Sequence, residues 1–297
     1  VIVTALTERR ALQLGASGRQ WLSGLPGLVE DLCARWSLTV VETLPGGSAA
    51  YVARVRTPDR DAVLKIPLPG QDAQLRTIAD ADGDGYVELL AHDGDAMLLE
   101  ALGPSLDRSG WPPERQIETL CGILLRAWRV PRPEPVPGPD KATRLAEFIT
   151  ELAARHPGWE TTVAQALRFA EQRAAVFDQD RCVLVHGDPH PANALRVVTR
   201  PTETGYVFVD PEGFLAEPAC DCGVVLRDWS GHLLAGDAVG DARRWCRLVA
   251  DHTGQDADAI WEWAFIERVS SGLYLLDLGA IDDGRRFLRV AGLLSGR

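Results

Sequence analysis

The stretch VLVHGDPHPANALRV at positions 183–197 opens on three apolar residues, then places two histidines, an aspartate, two prolines and an asparagine within eight positions. Pro189 and Pro191 forbid a continuing central strand, so the chain leaves a buried strand and turns where it becomes polar. Polar side chains held on a loop at a strand end mark a site. Two chemistries can use this one. The first is a metal centre built from His186, Asp188 and His190. The second is a reacting aspartate, Asp188, with a metal-binding asparagine, Asn193, five residues on.

A second acidic motif, YVFVDPEGF at 206–214, delivers Asp210 to the end of another strand, where Pro211 and Gly213 force a turn. Asp210 follows Asn193 by seventeen residues across a connection rich in turn formers, so two neighbouring strands of a hairpin would bring both ends together. Phosphoryl transfer needs such a set: one carboxylate to orient the acceptor hydroxyl, and an Asn and an Asp to hold Mg²⁺ on a triphosphate. Upstream, LPGGSAAYVARV at 44–55 supplies a hairpin turn, Gly46, Gly47 and Ser48, small enough for backbone N–H groups to approach phosphate oxygens. AVLKI at 62–66 then sets Lys65 among apolar neighbours, where an ammonium is costly unless it meets an anion.

The elements that must position these residues fall into two kinds. Helical spacing covers residues 9–35, with a break expected at the Gly and Pro residues near 24–27. From 37 to 66, three short β-branched or alternating runs separated by turn signals predict an antiparallel meander. A helix at 71–81 and a hairpin joined at Gly94 follow. Beyond residue 103 helical periodicity dominates, at 112–129, 141–155, 160–177 and from 239 onward, with short strands at 182–185, 194–198 and 205–209. PRPEPVPGPD, at 131–140, reads as a rigid extended loop between two helices. The expected organisation is α+β: a mostly β lobe at 1–102 and a mostly helical lobe at 103–297.

Composition limits the partners. A net charge of −11 would repel a nucleic-acid backbone and attract a cationic small molecule. Between Gly205 and Asp241 seven carboxylates face one arginine, Arg227, so a cleft lined by that segment would be anionic. No apolar run is long enough for a membrane span. Charged residues at 8–10 interrupt the first apolar stretch, and the expected location is cytoplasmic. Six scattered cysteines form no C-x-x-C pair and read as reduced thiols.

The order of parts carries a resemblance. A Gly-containing hairpin, a strand lysine, a helix, a hairpin ending in LLEAL, a helical unit, HGDPHPAN and then VDPEG is the order in the protein-kinase-like fold. HGDPHPAN is similar to the catalytic loop of the aminoglycoside phosphotransferase family, and VDPEGFLAEPACD resembles its streptomycin 6-kinase branch. The resemblance implies an ATP- and Mg²⁺-dependent kinase of a small, cationic acceptor, with Asp188 as catalytic base and Asn193 and Asp210 as metal ligands. It further implies that Lys65 holds the α and β phosphates and that backbone groups near Glu100, Ala101 and Leu102 bind adenine. His186, His190 and Glu212 would support the loop, and Asp221 would tie it to the helical lobe. One departure is visible. The family places a glutamate in the helix after the lysine strand, whereas GQDAQLRTIADADGDG has none, leaving Asp72 or Gln74 as the nearest substitutes. A metal-dependent hydrolase and a non-catalytic ligand-binding kinase relative are the alternatives.

Overall fold

A computed structural model describes residues 1–44, 49–134 and 138–295. The chain forms two compact units. The first holds Val1–Gly103 together with Arg196–Val207, and the second holds Pro104–Leu195 and the chain from Phe208 onward.

In the first unit, helices α1 (Ala5–Gln13) and α2 (Ala16–Trp36) precede strands β1 (Thr39–Thr43), β2 (Ala50–Arg56) and β3 (Asp61–Pro67). Helix α3 (Asp72–Ala81) leads into the hairpin β4 (Leu89–Asp93) and β5 (Ala96–Glu100). The strands form one antiparallel sheet in the order β1-β2-β3-β5-β4. Alternation sends Tyr51, Ala53 and Val55 of β2 and Leu64 and Ile66 of β3 into a core with Leu25, Val29 and Leu32 of α2. Lys65, between Leu64 and Ile66, therefore belongs to the opposite face, paired in register with Val52 and Met97. It is 5% exposed.

Helix α2 corrects one expectation. It runs unbroken through Gly24, Pro26 and Gly27. Its apolar face, set by Leu25, Val29 and Leu32, spans the proline, and burial of that face against the sheet outweighs the lost backbone hydrogen bond. The break falls earlier, at Leu14 and Gly15, where Gly15 adopts positive φ.

The second unit contains α4 (Pro113–Ala127), α5 (Lys141–Arg155), α6 (Glu160–Ala175), β6 (Val183–Val185), β9 (Phe214–Ala216) and α7 (Pro218–Val225), while β7 (Ala194–Arg196) and β8 (Tyr206–Phe208) are divided between the two units. It closes with α8 (Ser230–Ala235), α9 (Ala238–Thr253), α10 (Ala257–Asp277) and α11 (Ile281–Leu294). The chain passes to the first unit and back through the β7–β8 hairpin. Helix α10 is the axis, packed against α5, α6, α7, α9 and α11. Apolar residues on every side of it, among them Ile260, Trp263, Phe265, Ile266 and Leu273, are buried accordingly. Gly223 lets α7 lie against α10, since a Cβ there would come within 2.5 Å of Trp263 Cβ. Among the described residues no helix is long and apolar enough to cross a membrane.

Candidate active site

Strand β6 pairs antiparallel with β9, Val185 opposite Phe214, and ends directly at His186. The loop that follows is built by its own backbone. Gly187 takes φ +87°, and a side chain there would meet Phe214 Cε1 at 2.7 Å and Glu212 Cβ at 2.9 Å, so only glycine fits. His190 N–H donates to Asp188 O and Asn193 N–H to His190 O, each at 2.9 Å, a tight bend that leads into a 3₁₀ turn at Pro191–Asn193.

His186 is fully buried, and both its ring nitrogens are engaged. Nε2 lies 2.9 Å from Val209 O, and Nδ1 accepts from Asp188 N–H at 3.1 Å. These partners require a neutral ring with the proton on Nε2, in keeping with burial pushing its pKa down to about 4. Neither nitrogen is available to a metal. With its ring on Val209 O, and its backbone carbonyl accepting from Glu212 N–H at 2.7 Å, His186 staples the 186–193 loop to the 209–212 loop. Asp210 lies in that second loop with φ 60°, a left-handed conformation that a non-glycine residue adopts at a cost. Val209 N–H donates to Asn193 O at 2.9 Å, which completes the juxtaposition of the two motifs.

Asp221 lies beneath the loop. Its Oδ1 accepts from Gly187 N–H at 2.8 Å, and Oδ2 accepts from His186 N–H and Trp128 Nε1–H, both at 2.9 Å. Burial pushes its carboxyl up to about 6 against the pull of these three donors.

Asp188 has the opposite electrostatics. Arg227 Nη2 donates to its Oδ1 at 2.6 Å, while His190 Nε2 and Asn193 Nδ2 each lie 3.4 Å from Oδ2. Burial would raise its pKa, but Arg227 and His190 outweigh that and hold it well below the usual carboxylate range. Asp188 and Asp228 in turn keep the Arg227 guanidinium firmly charged despite burial. Arg227 is fixed from behind. Arg268 of α10 donates to Leu226 O at 2.8 Å, Asp228 O at 3.3 Å and Ser230 Oγ at 2.9 Å, gripping the segment that carries it. Sequence reading singled out Arg227 only as the lone cation of an acidic run. Its partner is 39 residues away, a distance at which no local pattern reports a pair.

Glu212 lies near Lys141 Nζ, 3.8 Å away, which also faces the buried Glu267 at 3.8 Å and the Phe214 ring at 5.0 Å. Burial raises the Glu212 pKa and Lys141 opposes it. The acidic run at 205–241 does not form one wall. Asp210 and Glu212 stand at the loop and Asp221 beneath it. Glu217 accepts from Trp263 Nε1–H at 2.7 Å, Asp237 caps α9, and Asp241 pairs with Arg244 at 2.6 Å.

In the first unit Glu100 is buried, and its carboxylate is fully engaged. It accepts from Glu88 N–H at 3.0 Å, Arg200 Nη2 at 3.0 Å and Thr199 Oγ1 at 2.6 Å. Its own N–H donates to Glu88 O at 3.0 Å. Gly46, Gly47, Ser48 and the side chain of Asp72 lie outside the described residues. Gln74 is buried, and its Oε1 has no hydrogen-bond partner among the described residues.

Comparison with known proteins follows the same lines. Residues 35–279 match the family model for aminoglycoside/hydroxyurea antibiotic resistance kinases. Streptomycin 6-kinase of Streptomyces glaucescens is 28% identical over 292 residues, covering 93% of this chain and 91% of the relative. Hydroxyurea phosphotransferase of Kitasatospora aureofaciens is 27% identical over 306 residues, covering 100% of this chain and 86% of the relative. Among solved structures, a thermostable mutant of aminoglycoside phosphotransferase APH(4)-Ia, in ternary complex with ADP and hygromycin B, shares the fold. Its TM-score is 0.62 at 12% identity, over 90% of this chain and 98% of that one. The fold is thus kinase-like, with a β-sheet region before a helical one. With a braced aspartate loop inside a match that spans most of its length, the chain belongs to the aminoglycoside/hydroxyurea antibiotic resistance kinase family and is a phosphotransferase.

Proposed function

We propose that the chain transfers the γ-phosphoryl group of ATP to a hydroxyl of a small cationic acceptor of the streptomycin type. The observation that carries this reading is the Asp188–Arg227 pair in a loop held at both ends, by His186 to 209–212 and by Asp221 from below. A carboxylate kept this strongly ionised is a weak Brønsted base, so its role is to accept a hydrogen bond from the acceptor hydroxyl and aim its oxygen in line. That suits a loose phosphoryl-transfer transition state, in which catalysis is largely positioning and charge stabilisation.

The donor set fits magnesium. Asn193 gives its amide nitrogen to Asp188 O at 3.0 Å, so its carbonyl oxygen is the atom it would offer to a cation, and Asp210 adds a carboxylate on the stapled neighbouring loop. Both are hard oxygen donors. Magnesium held there would neutralise phosphate charge. Nucleotide binding falls to residues 1–102, with Lys65 on the α and β phosphates and Gly46, Gly47 and Ser48 around them. The Glu100 N–H is already donated to Glu88 O, so an N–H given to adenine by the Glu100, Ala101 and Leu102 backbone comes from Ala101 or Leu102. Residues 103–297 supply the catalytic loop and the acceptor side.

Hydroxyurea is the second acceptor to weigh, because the hydroxyurea phosphotransferase match runs along the whole chain. Incubation with Mg²⁺-ATP and a panel containing streptomycin, other aminoglycosides and hydroxyurea, read by mass spectrometry, separates the two. One phosphoryl group added to a cationic aminoglycoside is the expected result. Modification of hydroxyurea alone, or of nothing, would sink the proposed acceptor class.

A further inference from the structure

Glu100 ends β5, a strand whose other members are Ala96, Met97, Leu98 and Leu99, and it is 1% exposed. A carboxylate is costly there unless donors meet it. Besides Glu88 N–H, those donors are Thr199 Oγ1 and Arg200 Nη2, which lie 99 and 100 residues further along the chain. Arg200 Nη2 also reaches Gly83 O at 3.0 Å and Tyr86 O at 3.3 Å, so the guanidinium is seated between the segment after α3 and the end of β5. All of these residues belong to the first unit. A buried ion pair is worth little stability over apolar side chains of similar size, so the sheet alone does not call for one. What it contributes is a fixed position.

Thr199 and Arg200 lie just past β7, on the arm of the β7–β8 hairpin that leads away from Asn193. A second contact ties the same arm to the same stretch of backbone. Gly103 N–H donates to Arg196 O at 2.8 Å, and a Cβ on Gly103 would come within 3.2 Å of Val198 Cγ1. Residues 100–103 are thus held at both ends, by Thr199 and Arg200 at one and by Arg196 at the other, with Ala101 and Leu102 between. The hairpin is closed across its arms by Val197 N–H to Gly205 O and Val209 N–H to Asn193 O, each at 2.9 Å. Its two ends lead to Asn193 and Asp210.

We infer that Thr199 and Arg200 are positioning residues for phosphoryl transfer: through Glu100 they keep the hairpin that presents Asn193 and Asp210 in register with the backbone of Ala101 and Leu102. The inference rests on the reading of those two pairs as the magnesium and adenine contacts. A nucleotide held by its base at one and through magnesium at the other binds both at full strength only while their separation is fixed beforehand. Loosening the hairpin leaves the base contact and costs the metal-dependent part of the affinity. Both residues act through Glu100 rather than on the nucleotide. Sequence reading took residues 199–205 for turn formers, because a partner 99 or 100 residues away leaves no local pattern.

The test is titration calorimetry of AMPPNP, an ATP analogue that resists hydrolysis, with magnesium and with EDTA, on the wild-type chain, Thr199→Val, Thr199→Ser and Arg200→Met. Thr199→Val is isosteric and removes only the donor to Glu100 Oε2. It should cut the tightening that magnesium gives by about fivefold and change metal-free affinity by less than about twofold, while Arg200→Met should cut it by about tenfold, the scale of a hydrogen bond to a charged group. Thr199→Ser keeps the hydroxyl and should bind as the wild type does. In turnover, KM for Mg²⁺-ATP should rise in Thr199→Val while KM for the acceptor holds. Arg200→Met leaves Glu100 without its cation and is the variant at risk of misfolding, so the two Thr199 variants decide the matter without it. A magnesium effect unchanged in Thr199→Val, or losses equal with magnesium and with EDTA, would overturn the inference while the metal reading stands. No magnesium effect in the wild type would overturn both.

Discussion

Asp188 and Asp221 belong to the two sides of one loop, and their surroundings differ in kind. Asp221 is wholly enclosed and meets three N–H donors, two from the backbone it supports and one from an indole. Hydrogen bonds of that sort shape the loop but do not balance the charge, and burial leaves its carboxyl near 6. Asp188 is open to the site on one side and meets a guanidinium on the other, which holds it ionised far below neutrality. The lesson is that the aspartate proposed to do chemistry has a full counter-charge, whereas the one that holds the backbone has only donors. A structural aspartate tolerates partial neutralisation. A reactive one that must present charge to a substrate at every working pH does not.

Replacing each partner should pull this contrast apart. The largest effect belongs to Asp188→Asn, with kcat down by about 10³-fold, the scale of losing one preorganised group that orients and stabilises the reacting oxygen. Nucleotide affinity, measured by titration calorimetry, should stay within a factor of two. Arg227→Ala comes next. With its cation gone Asp188 moves up toward the ordinary carboxylate value, and kcat/KM should fall by about 10²-fold through loss of preorganisation. The sign of its pH dependence is set by the depressed folded value. The pair's contribution to stability is complete above about pH 4, where the unfolded aspartate ionises, and is lost as pH falls through the folded value. The denaturation midpoints of wild type and variant should thus differ constantly at neutral pH and begin to converge below about pH 4.

Asp221→Asn tests the other side. Its folded pKa is raised, so the wild type gains stability from this group at low pH and loses it as pH rises through about 6. The variant should lack that slope between pH 4 and 7, a difference of roughly 2–3 kcal/mol by the usual conversion of a pKa shift. Its kcat should fall by about tenfold as the 186–187 backbone loses an acceptor. Trp128→Phe, which deletes one of three donors, should have the smallest effect: about 1 kcal/mol in urea and a further upward shift of Asp221, readable by carboxyl NMR.

Much of this was legible in the chain itself. The meander at 37–66 announced itself through β-branched alternation and turn residues, and HGDPHPAN through prolines that no central strand tolerates. The joining of Asn193 and Asp210 followed from two strands and a turn-rich connection. What escaped was non-local or apolar on all sides. Strand β9 is only Phe214–Ala216 and is specified by its partner β6 rather than by its own periodicity. Helix α7 is buried almost throughout, so it has no amphipathic stripe to read. Arg227 pairs across 39 residues and Trp128 meets Asp221 across 93. The break expected in α2 near 24–27 does not occur because burial of Leu25, Val29 and Leu32 against the sheet outweighs the propensity of Pro26.

Arg268 has a consequence for how such a chain diversifies. It is buried in the central helix and holds the segment whose next residue aligns Asp188, so drift at this position is felt as lost chemistry wherever selection acts on the acceptor. The cavity that reaches the catalytic loop at Pro191 is lined differently, by Asp107 in a short turn, Gln116 on α4 and Asp283 on α11, three elements that can change one at a time. Substitution at those three leaves the run from Arg268 through Arg227 to Asp188 intact, whereas a change at Arg268 reaches the Asp188 carboxylate.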